Sequence, residues 1–438
     1  MKFSDFPQAV IKENVDYAVK EITNVIKKYG PRESGSENCF SAQKHIKKEM
    51  DTFCDGTDFE SYKMAPKAFL HFTKLVSVAI FLAVVVCAIL MYTSIITPLL
   101  AQCIVCGVVF VGLFITLMEF LLYKRFMDPL YKKVEAHNLV GVRKPRGEVK
   151  KRIVISGHID AAYEWRHLYY GKKVPLFSIF MSWTIGSAII SFILSVIAIV
   201  ANFVDMGAFG DFMVNYSYIF HYVTALGMVT LLLFVDFNTI SPGANDNLTG
   251  TYAAVCALRM LDMAGIDFEN TEVCAMITDG EEAGLRGCKQ WAKDHYDEYV
   301  NSGVETAVLC VDTLADLEYL RVYNKDMTGT VKNNQQFSQL VMDSAKDSGH
   351  NDLEFSSALV YSTRLRVSVC GTGTLKIKFS GFSWEYAYTH YYRFPKELVY
   401  YQVRLSLWIC LQRSTSTPFN GLFRQSAALS RLRLHVTP

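Results

Sequence analysis

The sequence has little net charge, no regular pattern of cysteines and no apolar core near its start. Its 438 residues include 44 Lys or Arg and 42 Asp or Glu, a formal net charge of +2. This balance gives no case for nucleic-acid binding, which relies on an excess of basic groups. The eleven cysteines are odd in number and scattered, which argues against a disulfide framework and for a reducing compartment. We also expect no secretory signal peptide, because residues 1–17 lack its apolar run.

Acidic residues are scarce in the last part of the chain. From residue 361 onward the only acids are Glu385 and Glu397, against eleven Lys and Arg. This part is rich in Ser, Thr and Arg and has no clear hydrophobic periodicity. We therefore predict an atypical basic C-terminal segment over 361–438.

Long apolar runs are abundant, with hydrophobic residues making up 51% of the chain and a mean hydropathy of +0.18. Four runs are long enough to cross a bilayer, for which about 20 apolar residues suffice. They are Leu75–Ile96, Leu99–Tyr123, Phe177–Val204 and Tyr216–Val235. They predict four transmembrane helices in two hairpins, and hence a lipid bilayer as a partner. Glu119, near the end of the second run, is expected to reach towards the interface.

The charges of the connecting loops predict an orientation. The segment Asp205–Asn215 contains two Asp and no Lys or Arg, whereas Lys124–Lys173 is crowded with basic residues. By the positive-inside rule the basic loop faces the cytoplasm. We therefore expect a multi-pass protein of the cell membrane whose non-membrane part and both termini are cytoplasmic.

Outside the apolar runs, short β-branched strands alternate with helical patterns. In chain order we predict helices at 10–29 and 40–53, a strand at 152–156, a helix at 248–264, a strand at 272–278, a helix at 285–295, a strand at 306–311 and a helix at 337–345. This alternation predicts an α/β fold, with a mostly parallel or mixed sheet sandwiched by helices. The predicted boundaries are 1–73, 74–123 (hairpin 1), 124–175, 176–235 (hairpin 2), 236–360 and 361–438.

Two adjacent carboxylates, Glu281 and Glu282, follow the strand at 272–278. Carboxylates side by side repel each other and are costly to bury together. A cation would remove that cost. For such a pair taken alone, a solvated acidic loop is the alternative.

Other candidate ligands lie at comparable places. His158 and Asp160 follow the strand at 152–156, Asp312 follows the strand at 306–311, and Asp246 lies in a turn at a helix start. Ligand sites in such sheets lie beyond the carboxyl ends of the strands, so we expect these residues to converge on the acidic pair. Taken singly, the alternatives are a metal-free His-x-Asp hydrogen bond and a helix cap at Asp246. Together they form a nitrogen and oxygen donor set that suits zinc.

Four motifs occur in order along the chain: SGHID, PGANDNLTG, TDGEEAGLRG and CVDTL. They closely resemble the M28 family of zinc aminopeptidases, and the resemblance extends from about residue 30 to about residue 349, interrupted by the hairpins. It implies an α/β sandwich and a reaction that removes the N-terminal residue of a peptide. It also implies zinc, with two ions per chain.

The resemblance assigns a role to each candidate. It implies that His158 and Asp312 hold one zinc ion, that Glu282 belongs to the second, and that Asp246 bridges them. It further implies Glu281 as the general base.

The resemblance also implies that Asp160 orients His158. It further requires a late histidine that completes the second zinc site. The family's usual Ser/Thr-Asp segment before that histidine is not found beyond residue 360. His390, which lies among aromatic residues, is the best candidate, ahead of His350 and His435.

Two other functions fit the same residues. One is a glutaminyl-cyclase-like transferase, which uses a single zinc on the same fold. The other is a non-catalytic membrane protein with a degenerate peptidase domain. Retention of both Glu281 and Glu282 argues against the second, and the departure of the segment beyond residue 360 argues for it. The sequence gives no indication of the oligomeric state.

Overall fold

The computed structural model describes residues 7–169, 176–313, 321–325, 333–348, 353–357 and 366–370. The chain divides into two compact units. The sheet unit comprises Met1–Pro66, Val134–Ala162 and Ile240–Pro438, and the helical unit comprises Lys67–Lys133 and Tyr163–Thr239. The helical unit is therefore made of two segments inserted into the sequence of the sheet unit.

Helices and strands alternate along the described residues. The helices are α1 (Gln8–Tyr29), α2 (Glu37–Met50), α3 (Ala68–Tyr92), α4 (Pro98–Ile115), α5 (Arg166–Tyr169), α6 (Leu176–Ala201), α7 (Gly207–Tyr216), α8 (Ile219–Leu232), α9 (Thr249–Met263), α10 (Arg286–Asp294) and α11 (Gln335–Asp347). The strands are β1 (Gly56–Met64), β2 (Val134–Arg143), β3 (Lys151–His158), β4 (Tyr163–Trp165), β5 (Val235–Ile240), β6 (Thr271–Thr278), β7 (Glu305–Asp312), β8 (Arg321–Lys325), β9 (Glu354–Ser357) and β10 (Arg366–Cys370).

Among the described residues of the sheet unit, eight strands form one sheet in the order β1-β2-β6-β3-β7-β10-β8-β9. The strand β3 pairs in parallel with β6 on one side and with β7 on the other. The pairs β1–β2, β2–β6 and β7–β10 are antiparallel, so the sheet is mixed. Because β6, β3 and β7 are parallel, their carboxyl ends meet at one edge.

Apolar side chains cover both faces of this sheet. Ile153 and Ile155 of β3 belong to a buried cluster that includes residues of α1, α2, α9 and α11. Val154, which points to the opposite face as the pleat requires, packs in a second cluster with Trp291 of α10. Each fully buried large apolar side chain contributes about 1.5–3 kcal/mol to folding. Helices on both faces confirm the predicted α/β fold.

The eight helices and strands predicted for this unit all occur within three residues of their predicted bounds. The strands β1 and β2 were not predicted. The strand β1 has no apolar run, because its residues alternate between exposed and partly buried at the sheet edge. In β2 the pattern is broken by Asn138, which is buried and donates a hydrogen bond to the carbonyl of Gly287 at 3.1 Å.

The helical unit contains three helices that are long and apolar enough to cross a membrane, among the residues described. These are α3, α6, and α4 together with a π-helical turn at Thr116–Leu121. Large apolar side chains on them face outwards, including Leu82, Phe110 and Ile190, each about half exposed. Such surfaces are compatible with membrane association.

The predicted fourth span, Tyr216–Val235, is divided in the structure. The helix α7 ends at Tyr216, α8 covers 14 residues, and β5 begins at Val235. The helix α8 is apolar but shorter than the other three. The predicted count of four spans is therefore not confirmed.

Polar side chains buried inside the helical unit connect its helices. Gln102 of α4 donates to the hydroxyl of Ser217 at 2.6 Å, and its oxygen lies 2.7 Å from His221 Nε2. That oxygen can only accept, so the proton is on Nε2, and Nδ1 accepts from Ser191 of α6 at 2.5 Å. Glu119 is also fully buried and accepts from the backbone N–H of Met127, so the expectation that it reaches the interface was wrong.

Candidate metal centre

Neighbouring parallel strands place the predicted ligands at one edge of the sheet. His158 is the last residue of β3, and Asp312 is the last residue of β7. Glu281 and Glu282 follow the end of β6 within four residues. Since these three strands are adjacent and parallel, the side chains at their ends converge.

The remaining carboxylate comes from the irregular turn before α9. Asp246 has φ −115° and ψ 95°, outside the helical region. The next residue, Asn247, donates from its side chain to the carbonyl of Val311 at 2.8 Å. Its side-chain oxygen accepts from the N–H groups of Gly250 at 3.0 Å and Thr313 at 3.2 Å. Asn247 thus holds this turn against the end of β7, a role that its position at a helix start did not indicate.

The imidazole of His158 points into the carboxylates. Its Nε2 lies 3.0 Å from Asp246, 3.6 Å from Asp312 and 3.8 Å from Glu281. This nitrogen is buried and makes no hydrogen bond of acceptable geometry. His158, Asp246 and Glu282 offer ligand atoms within 4.8 Å of one another, and so do His158, Glu281 and Asp312. A buried, unpaired imidazole nitrogen among carboxylate oxygens fits a bound zinc ion.

Asp160 connects His158 to the acidic pair and is completely buried. Its carboxylate accepts from the N–H groups of Glu281 at 3.3 Å and Glu282 at 3.0 Å, and from the hydroxyl of Ser34 at 2.6 Å. His158 Nδ1 lies 3.1 Å from the carbonyl of Asp160 and 3.4 Å from its carboxylate. The predicted orienting residue therefore contacts both parts of the site, which leaves Nε2 of His158 free to bind an ion.

Electrostatic repulsion dominates the site in the absence of an ion. Burial raises the pKa of Glu281 and Glu282 well above the usual value, and neighbouring carboxylates raise it further. The pKa of Asp246 is also raised, by burial and by Asp312. Burial opposes protonation of His158, but the charge of Glu281 and the closeness of Asp160, Asp246 and Asp312 raise its pKa well above the usual value. These shifts reflect the cost of placing several carboxylates together in a buried site.

The pKa of Asp160 is lowered instead. Burial alone would raise this pKa, but bonding to His158, Ser34 and the N–H of Glu282 outweighs burial. This difference fits a supporting role for Asp160.

The predicted late histidine lies outside the described residues. The same is true of His350 and His435. The assignment of His390 to the second zinc site therefore stays a prediction.

The sequence model of peptidase family M28 matches residues 229–363 of this chain. The matched range contains Asp246, Glu281, Glu282 and Asp312, four of the predicted site residues. No curated protein matches the chain. The family match confirms the resemblance predicted from the four motifs.

Solved structures that match this chain include an exopeptidase, an aminopeptidase and a glutaminyl cyclase. A Zn-dependent exopeptidase from Parabacteroides distasonis is 12% identical, with a TM-score of 0.46, over 90% of this chain and 96% of that chain. The LapA aminopeptidase of Legionella pneumophila is 11% identical, with a TM-score of 0.46, over 93% of this chain and 74% of that chain. A glutaminyl cyclase from Bacteroides thetaiotaomicron is 12% identical, with a TM-score of 0.45, over 90% of this chain and 96% of that chain.

The raised pKa values of the carboxylates predict that zinc binding is linked to proton release. Ligands must be deprotonated to bind a metal, so zinc displaces protons from the cluster and its affinity falls as the pH falls. Isothermal titration calorimetry in buffers of different ionisation enthalpy measures this release. A binding heat independent of the buffer would contradict the prediction.

Proposed function

We propose that this chain is a membrane-anchored, zinc-dependent aminopeptidase. The observation that carries the proposal is the buried, unpaired Nε2 of His158, which faces three carboxylates at the joint end of parallel strands. The M28 family match over residues 229–363 supports the same reading. The match contains the three carboxylates, and the structure adds His158, which lies outside the matched range.

The proposed ligands follow the resemblance. His158 and Asp312 would hold one zinc ion, Glu282 would belong to the second, and Asp246 would be shared between them. His390 completes the second site in this proposal. When bound, zinc polarises the peptide carbonyl and lowers the pKa of water.

Glu281 is the proposed general base. It takes a proton from the attacking water and returns it to the leaving amine. Burial and the neighbouring carboxylates raise its pKa, which suits a group that must both accept and give up a proton. Its N–H bond to Asp160 fixes the turn on which it lies. Glu281 and Glu282 are adjacent, so one turn supplies both a base and a ligand.

We further propose that the helical unit spans the cell membrane in two hairpins, with α8 as the fourth crossing. The 14 residues of α8 rise about 21 Å, less than the roughly 30 Å of a hydrocarbon core. Local thinning of the bilayer would accommodate this helix. The basic residues between the hairpins support a cytoplasmic position for the sheet unit and both termini, and the proposed substrates there are peptides.

The general-base role is tested with Glu281→Gln. The neutral amide cannot accept the proton, so hydrolysis of aminoacyl-arylamides falls by about a hundredfold to ten-thousandfold. Zinc content stays that of the parent, because Glu281 is not a ligand in the proposal. The control is Glu148→Gln, an exposed position that keeps full activity.

A Glu281→Gln variant as active as the parent would remove the general-base role. A parent that cyclises an N-terminal Gln peptide and leaves the arylamides intact would instead identify a glutaminyl-cyclase-like transferase.

The proposed orientation is tested with inserted protease sites. A site at residue 205, in the acidic loop, is cut by protease added to intact cells. A site at residue 148, in the basic loop, is cut only after permeabilisation. Cleavage at residue 148 in intact cells would reverse the orientation.

A further inference from the structure

Arg32 lies in the turn between α1 and α2 and is completely buried. Its guanidinium donates four hydrogen bonds, and all four acceptors are backbone carbonyls. The bonds reach Ile159 at 2.9 Å, Gly30 at 3.2 Å, Pro242 at 3.0 Å and Gly243 at 3.0 Å. A buried arginine whose donors all bind backbone carbonyls fixes the position of the chain and does not neutralise a side-chain charge.

Three of these carbonyls belong to the two loops that carry zinc-ligand candidates. Ile159 directly follows His158, and Pro242 and Gly243 begin the turn that contains Asp246. The backbone carbonyl of Arg32 also accepts from the N–H of Ala161 at 2.9 Å. One residue therefore joins the loop after β3 to the turn before α9.

The shape of this contact suits arginine and no other side chain. A guanidinium presents five N–H donors in a rigid plane, whereas a lysine presents three donors from one atom. At Gly243, φ is +60° and an added Cβ would lie 2.5 Å from the Arg32 guanidinium. The turn therefore approaches Arg32 as closely as glycine allows. Burial lowers the pKa of Arg32 to about 10, so the group remains charged at neutral pH.

We propose that Arg32 is a positioning residue of the metal centre, which sets the separation of His158 and Asp246 by binding the carbonyls of both loops. This inference rests on the proposed zinc centre. It assigns Arg32 no contact with zinc or substrate. Groups that orient metal ligands typically change metal affinity by 10- to 100-fold when altered.

The test compares Arg32→Lys with a matched control, Arg152→Lys. Arg152 is also buried, lies on the same strand as His158, and binds Glu272 and Glu298. Arg152 lies six positions before His158, which is about 20 Å along the strand. Both variants exchange a buried arginine for lysine, but only Arg32 contacts the loops that carry His158 and Asp246.

Two measurements separate positioning from general stability. Arg32→Lys weakens zinc binding by about tenfold or more in competition with a chromophoric chelator, and it shifts the visible spectrum of the Co²⁺-loaded full-length chain. Arg152→Lys lowers the Tm of the zinc-free chain but keeps the parent's zinc affinity and Co²⁺ spectrum. Equal zinc affinities and spectra in the two variants would overturn the proposal.

If Arg32→Lys does not yield folded protein, Arg32→Gln decides. Its amide has two N–H donors where the guanidinium uses four, so it cannot bind both loops, zinc binding weakens in the same way, and unchanged affinity overturns the proposal. A parent that binds zinc but hydrolyses no peptide would refute the proposed function while the zinc comparison still tests Arg32. A parent that binds no zinc would overturn both.

Discussion

Repulsion among buried carboxylates is the constraint on which the sheet unit depends. The side chains involved are Asp160, Asp246, Asp279, Glu281, Glu282 and, at the surface of the cluster, Asp312. An unpaired buried charge destabilises the folded state by several kcal/mol, which is more than most single contacts contribute to stability. The fold lowers this cost with fixed donors, among them Ser34 on Asp160 and the N–H of Gly35 on Asp279. The remaining charge is balanced by protons or, in the proposed function, by zinc.

The apolar strands and the ends of those strands were predictable from the sequence. The strands β3, β6 and β7 are fully buried runs bounded by polar residues, and a parallel arrangement brings His158 and Asp312 to the same edge. The order and direction of the strands bring the candidate ligands together. Their proximity could therefore be predicted from the sequence without any measured distance. Taken alone, the Glu pair was a weak signal, as were His158 and Asp246, and each gained meaning from the others.

Other features could not be read from the sequence, for physical reasons. In the edge strand β1 the buried apolar side chains are Tyr62 and Met64, too few for a recognisable pattern. Arg32 and Asn247 act through hydrogen bonds to backbone groups, which leave no pattern in side-chain chemistry. In the helical unit, hydropathy marked an apolar run at 216–235 but not its interruption, where Ser217 turns inward to accept from Gln102.

The metal content of the full chain, purified in detergent without added metal, tests the central claim most directly. Elemental analysis should find about two zinc ions per chain, because the proposed function requires a pair of ions. One ion per chain would contradict the paired centre. A chain without zinc, and unable to take it up, would contradict the metal centre itself.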